Sequence, residues 1–390
     1  MKLIKKIILI IVLITALCPQ MAAASQKAPD VKALGAVLID GNSGRVLWEK
    51  NADTPLANAS TTKIMTCILA LESGKTEDTV TVSKNASVQP KTRMGLSEGE
   101  RIGMEALLYA LMLQSSNDAA VAIAEHVSGS VEAFCDMMDE KAAELGAADT
   151  DFETPNGLDK NNHHSTAYDM ALITGYALNN DKFKDIISTE QITVDSDRRS
   201  YTIVNKNRLL REYDGAVGVK TGFTGKAGHC FVGAAERDGM LLISVVLGSG
   251  WGSAGKERKW TDTKNLLNYG FENYAYYDLC KKGEYRDSIP VKGSYNERVR
   301  AVIGEDITLP LTEYEREALY TELKLPESVD APVKAGDELG MILFKNGSER
   351  VITECPLTAE SSVDKKDIKT TAGMLIKHWI NPKKSDILKR

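Results

Sequence analysis

Strand-like and helix-like segments are segregated along this chain, and that order limits the folds open to it. Two short apolar runs, 36–39 and 45–49, flank the turn-rich Asp40-Gly41-Asn42-Ser43-Gly44 and read as a hairpin. Residues 104–145 then carry three helical repeats: Leu107, Leu108 and Leu111; Ala120, Ile123 and Ala124; Val131, Phe134 and Met138. Strand patterns return at 192–194, 201–204, 216–220, 229–235 and 240–247, the last two joined by Asp238-Gly239. A helix with Leu266, Leu267 and Phe271 at its core follows. Strands at both ends with helices bunched between them predict an α+β fold, an antiparallel sheet flanked by helices, over a βαβ array. A length of 390 residues leaves room for about two domains. Near Lys281 the texture changes to short Val, Ile and Leu pairs, with Asn346-Gly347 as a hairpin turn between 341–344 and 350–353. The expected division is therefore a first domain over 25–280 and a small β-rich domain over 281–360.

The two termini carry compartment signals. Lys2, Lys5 and Lys6 precede the apolar run 7–14 and then Ala22-Ala23-Ala24, the pattern of a signal peptide over 1–24. The apolar run is too short to span a bilayer, so export is expected. Leu17, ahead of Cys18, is bulkier than the small residue that lipoprotein processing wants. In the tail, 361–390, Ala372, Leu375, Ile376 and Trp379 share one helical face, with Lys369 and Lys377 off it. A helix lying on the outer face of the cytoplasmic membrane is favoured there over one packed on its own domain.

Other classes are disfavoured. A net charge of -6 without a basic block argues against nucleic acid as a partner. Cys67, Cys135, Cys230, Cys280 and Cys355 contain no Cys-x-x-Cys pair, and buried free thiols are expected more than a bridge. His163 and His164 are adjacent, without the i, i+4 spacing of a helical zinc pair, so neither a metal nor another cofactor is expected.

Three short motifs carry the chemistry. Ser60 and Lys63 open the apolar run 64–71, and helical spacing would set their Cβ atoms about 5–6 Å apart. Such a serine lies at a helix N-terminus, where free N–H groups can hold a developing negative charge. The same Ser-x-x-Lys spacing recurs at Ser253/Lys256 and Ser362/Lys365, but there it stands among glycines or in a polar stretch. Ser115-Ser116-Asn117-Asp118, between two helices, reads on its own as a helix cap. Lys220-Thr221-Gly222 reads on its own as a strand end before a glycine turn.

In that order and at those separations the three motifs resemble the set found in penicillin-recognising serine acyltransferases. Over most of its mature length the chain is similar to the low-molecular-mass penicillin-binding proteins, serine D-alanyl-D-alanine carboxypeptidases. Gly157-Leu158-Asp159, His164-Ser165-Thr166-Ala167-Tyr168-Asp169-Met170 and the run 242–248 also resemble stretches typical of that family. The resemblance implies a transpeptidase/β-lactamase-like fold and removal of the terminal D-alanine of peptidoglycan pentapeptides through an acyl-enzyme on Ser60. Stem peptides are the implied partners, and β-lactams the covalent inhibitors.

The roles follow from the chemistry. Serine needs a base, and Lys63 can serve if burial and the nearby cation Lys220 keep it neutral. Ser115 would relay a proton to the leaving D-alanine, and Asn117 would bond the substrate backbone and Lys63. Lys220 and Thr221, with Gly222 completing their motif, suit a terminal carboxylate. The N–H group of Ser60 would meet the oxyanion and, as the resemblance implies, so would that of Phe223. The sequence departs from the family twice: the carboxylate-binding arginine has Lys259 or its neighbour Arg258 as counterpart, and Phe223 stands where some relatives are polar. A β-lactamase is disfavoured by Ser116, where Asp is usual, and by the lack of a Glu with an Asn four residues on after Gly146. A non-catalytic penicillin-binding envelope protein is disfavoured because every polar motif residue is present.

Overall fold

The computed structural model describes residues 27–295 and 298–366; the expected signal peptide and tail helix lie outside them. The chain divides between Asn273 and Tyr274 into two compact units. The first is built on a five-stranded antiparallel sheet in the order Val46–Lys50, Gly35–Asp40, Met240–Leu247, Gly228–Arg237, Ala216–Thr224. Alternate residues of a strand face opposite sides, and here both sides are covered. Gly270, in the helix Gly252–Asn273, packs on Leu242 and Leu38, while Gly175, in the helix Ala167–Ala177, packs on Ile243. Covering both faces explains why Met240–Leu247 is an almost unbroken apolar run.

The helices between the sheet's two parts enclose Lys63–Glu72, which is buried from Lys63 through Ala70. That burial accounts for the all-round apolar character of the sequence after Lys63. Ser60 precedes this helix, in a 3-10 turn over Ala59–Thr62. Gly74, at φ 71°, follows the helix in the left-handed conformation that favours glycine. Two readings of the motifs on their own are corrected. Strand Ala216–Thr224 runs through Lys220-Thr221-Gly222 rather than stopping there, because pairing with Gly228–Arg237 continues to Thr224 and Gly228. The helix Met104–Tyr109 runs on through a π-type turn, Ala110–Gln114, into Ser115 at φ 66°, and Asn117–Ser128 begins without a cap bond from the Ser116 side chain.

The second unit is β-rich, with a six-stranded sheet in the order Tyr320–Lys324, Glu338–Lys345, Val351–Ala359, Arg298–Ile303, Tyr285–Lys292, Val329–Asp330. Ile289, Val299, Ile342, Phe344 and Leu357 lie in its core. It begins before the change of texture at Lys281, because Ala275–Cys280 pairs with Ile307–Leu311 inside it. It also passes Glu360, through bridges from Val333 to Val363 and from Ser294 to Lys365. Backbone pairing of this kind leaves little trace in composition. The five described cysteines are buried free thiols.

Candidate active site

Lys63 is fully buried, and its ammonium reaches three oxygens: Ser60 Oγ at 2.9 Å, Asn117 Oδ1 at 2.9 Å and the Asn156 carbonyl. Asn117 Nδ2 donates to the Pro90 carbonyl at 3.0 Å, which fixes the amide so that its oxygen faces Lys63. Burial lowers Lys63 to about 7, with the Asp118 carboxylate pulling the other way. Burial rather than Lys220 is thus the main cause. The repulsion between the two lysines is felt at Lys220, whose ammonium is held well below the usual range by burial first, then by Lys63, Lys206 and Lys259.

The 3-10 turn holds Ser60 from several sides. Thr62 Oγ1 meets His163 Nε2 at 2.8 Å, and His163 Nδ1 accepts from Glu153 N at 3.0 Å, so Nε2 carries the proton. Burial pushes His163 down to about 4, leaving it a neutral strut. Thr66 Oγ1 donates to the Pro155 carbonyl at 2.6 Å. Gly157, at φ 75°, lies so close that a Cβ would overlap the Ala59 carbonyl. These contacts aim the Asn156 carbonyl at Lys63. The 164–170 stretch is scaffold: Ser165 pairs with Leu56, Thr166 caps the helix Ala167–Ala177, and Asp169 accepts from Asp149 N and Thr150 Oγ1.

The strand Ala216–Thr224 is an edge of the sheet and passes directly beside Ser60, since a Cβ on Gly222 would stand 3.0 Å from Ser60 N. His229, opposite Phe223, turns both backbone groups to residues 249 and 250. Phe223 and His229 are therefore a non-hydrogen-bonded pair, and the Phe223 N–H points off the open edge. Ser60 N–H has no acceptor among the described residues. Two free N–H groups at this edge can hold an oxyanion.

Of the remaining motif residues, Lys220 is buried and donates to the Thr221 carbonyl at 2.8 Å. Ser115 is in the left-handed region, its carbonyl accepts from Thr92 Oγ1 at 2.8 Å, and its hydroxyl has no hydrogen-bond partner among the described residues. Lys259 is buried over the Trp260 ring at 4.8 Å, lowered to about 8 chiefly by burial, and its charge is felt at Lys220 and His229. Arg258 is exposed, with Nη1 3.4 Å from the Ser249 carbonyl. Phe223 is 51% exposed and stacks on His229 with ring centroids 4.4 Å apart. Among the described residues no carboxylate bonds Ser60 or Lys63.

Sequence reasoning missed two participants. Asn156 acts through its carbonyl, so its side chain carries no signal. Asp118, read as a cap, accepts from Ala119 N in the first turn of its own helix at 3.0 Å, and beyond that from the N–H groups of Met94, Gly95 and Leu96 at 3.0, 2.8 and 3.1 Å.

Known proteins resemble this chain along most of its length. Residues 22–250 match the D-alanyl-D-alanine carboxypeptidase family, and residues 274–365 match the C-terminal domain of penicillin-binding protein 5. The D-alanyl-D-alanine carboxypeptidase DacF of Bacillus subtilis is 34% identical over 355 residues, covering 89% of this chain and 90% of that protein. DacA of Escherichia coli is 34% identical over 332 residues, covering 81% and 80%. The crystal structure of penicillin binding protein 5 from Haemophilus influenzae superposes with a TM-score of 0.76 at 28% identity, covering 87% of this chain and 99% of that one.

Proposed function

We propose, from the premise that this chain belongs to the D-alanyl-D-alanine carboxypeptidase family, that Ser60 is its nucleophile and Lys63 the base. The protein is a serine-type D-Ala-D-Ala carboxypeptidase of the cell envelope; peptidoglycan is its substrate, and it binds β-lactams. The observation that carries the assignment is the set of partners around Lys63. An ammonium has a proton for each of its three oxygens, whereas a neutral amine has two N–H groups and a lone pair. Asn117 Oδ1 and the Asn156 carbonyl can only accept. The lone pair of neutral Lys63 therefore falls to Ser60, the one partner with a proton to give. Deprotonation of Lys63 by itself poises the hydroxyl for attack.

In the first step Ser60 Oγ bonds to the carbonyl carbon of the penultimate D-alanine as its proton passes to Lys63. The oxyanion is met by the N–H groups of Ser60 and Phe223. The C–N bond then breaks as a proton reaches the departing amine through Ser115, and water later releases the acyl group. Asn117, whose Nδ2 gives one of its two N–H groups to Pro90, would bond the peptide backbone with the other. The terminal carboxylate is suited by Lys220 and Thr221 on the edge that Gly222 keeps close to Ser60, and by a further cation. Burial and its influence on Lys220 favour Lys259 for that part over Arg258. The tail pattern of Leu375, Ile376 and Trp379 with Lys369 and Lys377 supports contact with the outer face of the cytoplasmic membrane.

Labelling with a fluorescent penicillin tests the site. The wild-type chain should carry one adduct, found by mass spectrometry on the peptide containing Ser60, and Ser60→Ala should carry none. An adduct on Ser115, Ser253 or Ser362 would overturn the assignment.

A further inference from the structure

Beside the Ser115 segment lies a recess of about 280 Å³, lined by Lys91, Thr92, Arg93, Gln114 and Lys206 among others. Its wall is shared with the candidate active site. Thr92 receives the Asn117 N–H on its carbonyl at 2.7 Å and donates from Oγ1 to the Ser115 carbonyl. Lys206 N donates to the Leu113 carbonyl at 3.1 Å, and its Nζ to the Gln114 carbonyl at 3.0 Å. Asp118 pins the 94–96 segment with both carboxylate oxygens, which are thereby occupied. The recess is thus a built feature, its walls tied to the backbone on either side of Ser115 and Asn117.

Its charge is one-sided. No acidic residue lines it, and Lys91, Arg93 and Lys206 have no ion-pair partner among the described residues. Arg93 spends one N–H on the Gln89 carbonyl at 3.2 Å and keeps the rest of its fork free. Three unpaired cations around one concavity, in a chain whose net charge is -6, make a local positive potential that the fold itself does not use. That potential is continuous with the cleft, because the charge of Lys206 is felt at Lys220. Any anion a peptide brings to this wall, beyond its terminus, is a side-chain carboxylate.

We propose that this recess binds a carboxylate carried by the substrate peptide outside its terminal D-Ala-D-Ala, and that it selects stem peptides bearing a free acidic group. The inference rests on the reading of Ser60 and its cleft given above. Lys91 and Arg93 are the recognising groups, and Lys206 links the recess to the cleft.

The test compares D-Ala-D-Ala peptides that differ only in Glu or Gln, placed in turn at two positions ahead of the D-alanine pair. The wild-type chain should prefer the Glu form at one position by about 5- to 20-fold in kcat/KM, as expected for a partly exposed charge contact. The preference should shrink as ionic strength rises from about 0.05 M to about 0.5 M. It should fall to near parity in the double variant Lys91→Ala, Arg93→Ala, and persist in Lys91→Arg, Arg93→Lys. Parity in the wild-type chain at both positions would overturn the proposal, and so would a preference that survives the alanine pair. Competition by a phosphate-rich wall polymer without any carboxylate preference would assign the recess to a different ligand and also overturn it. Penicillin labelling of the same preparations separates the two levels: an unlabelled wild-type chain defeats the reading of Ser60, whereas a labelled chain without carboxylate preference defeats this inference alone.

Discussion

Lowering the pH through 7 should switch off acylation of Ser60 by charging Lys63, and replacing Asp118 should move the point at which this happens. The fall of Lys63 from the ordinary 10.5 to about 7 means that its buried ammonium is disfavoured by about 5 kcal/mol relative to water. Only the neutral amine can turn its lone pair to Ser60, so activity lies above the transition. At pH 6 acylation should run at about one-tenth of the value set by the acid limb, and at pH 7 at about one-half. The alkaline limb should come from loss of positive charge on Lys259, at about 8. Asp118 raises Lys63 and does not figure among the influences on Lys220, so Asp118→Asn identifies which lysine sets the acid limb. Asparagine removes the charge and keeps one of the two accepting oxygens, so the acid midpoint should move down while part of the tether on the 94–96 segment is lost. The measurement is the second-order rate of labelling by a fluorescent penicillin from about pH 5.5 to about pH 9 at fixed ionic strength. A flat rate between pH 6 and 8, or an acid midpoint that rises in Asp118→Asn, would refute the account of Lys63 as a base neutralised by burial.

Two further outcomes are expected. Lys63→Arg should abolish acylation, because arginine stays charged, whereas Lys220→Arg should be milder; equal losses in acylation rate would mean the roles are wrongly divided. A chain ending at Lys366, which keeps the bridges to Val363 and Lys365, should retain activity on a soluble D-alanyl-D-alanine peptide and lose sedimentation with anionic lipid vesicles. Vesicle binding that persists in this truncated chain, prepared without residues 1–24, would place the membrane contact elsewhere.

Local patterns carried a large part of this protein. The segregation of strand and helix periods predicted the antiparallel sheet with its flanking helices, because period-2 and period-3.6 burial write themselves directly into residue order. Spacing together with the apolar run that follows singled out Ser60 and Lys63 from two other Ser-x-x-Lys matches, and the structure brings the pair to 2.9 Å. The link from that pair to Asn117 and to the Lys220 strand came from resemblance, since no local rule relates residues so far apart. Tertiary structure alone decided the rest. The Asn156 carbonyl reaches Lys63 because Pro155 and Gly157 are held against the nucleophile turn, and a backbone oxygen has no residue type by which to be recognised. Asp118, read as a cap, bonds its own helix's first turn and also ties down a distant loop, as a carboxylate bonds whichever N–H groups the fold brings near. The second unit begins at Tyr274 because a strand pairs forward, and pairing is a property of two segments, invisible in either one. The residue types were in the sequence; the proton affinity of Lys63 was not, because burial depends on every element that packs around it.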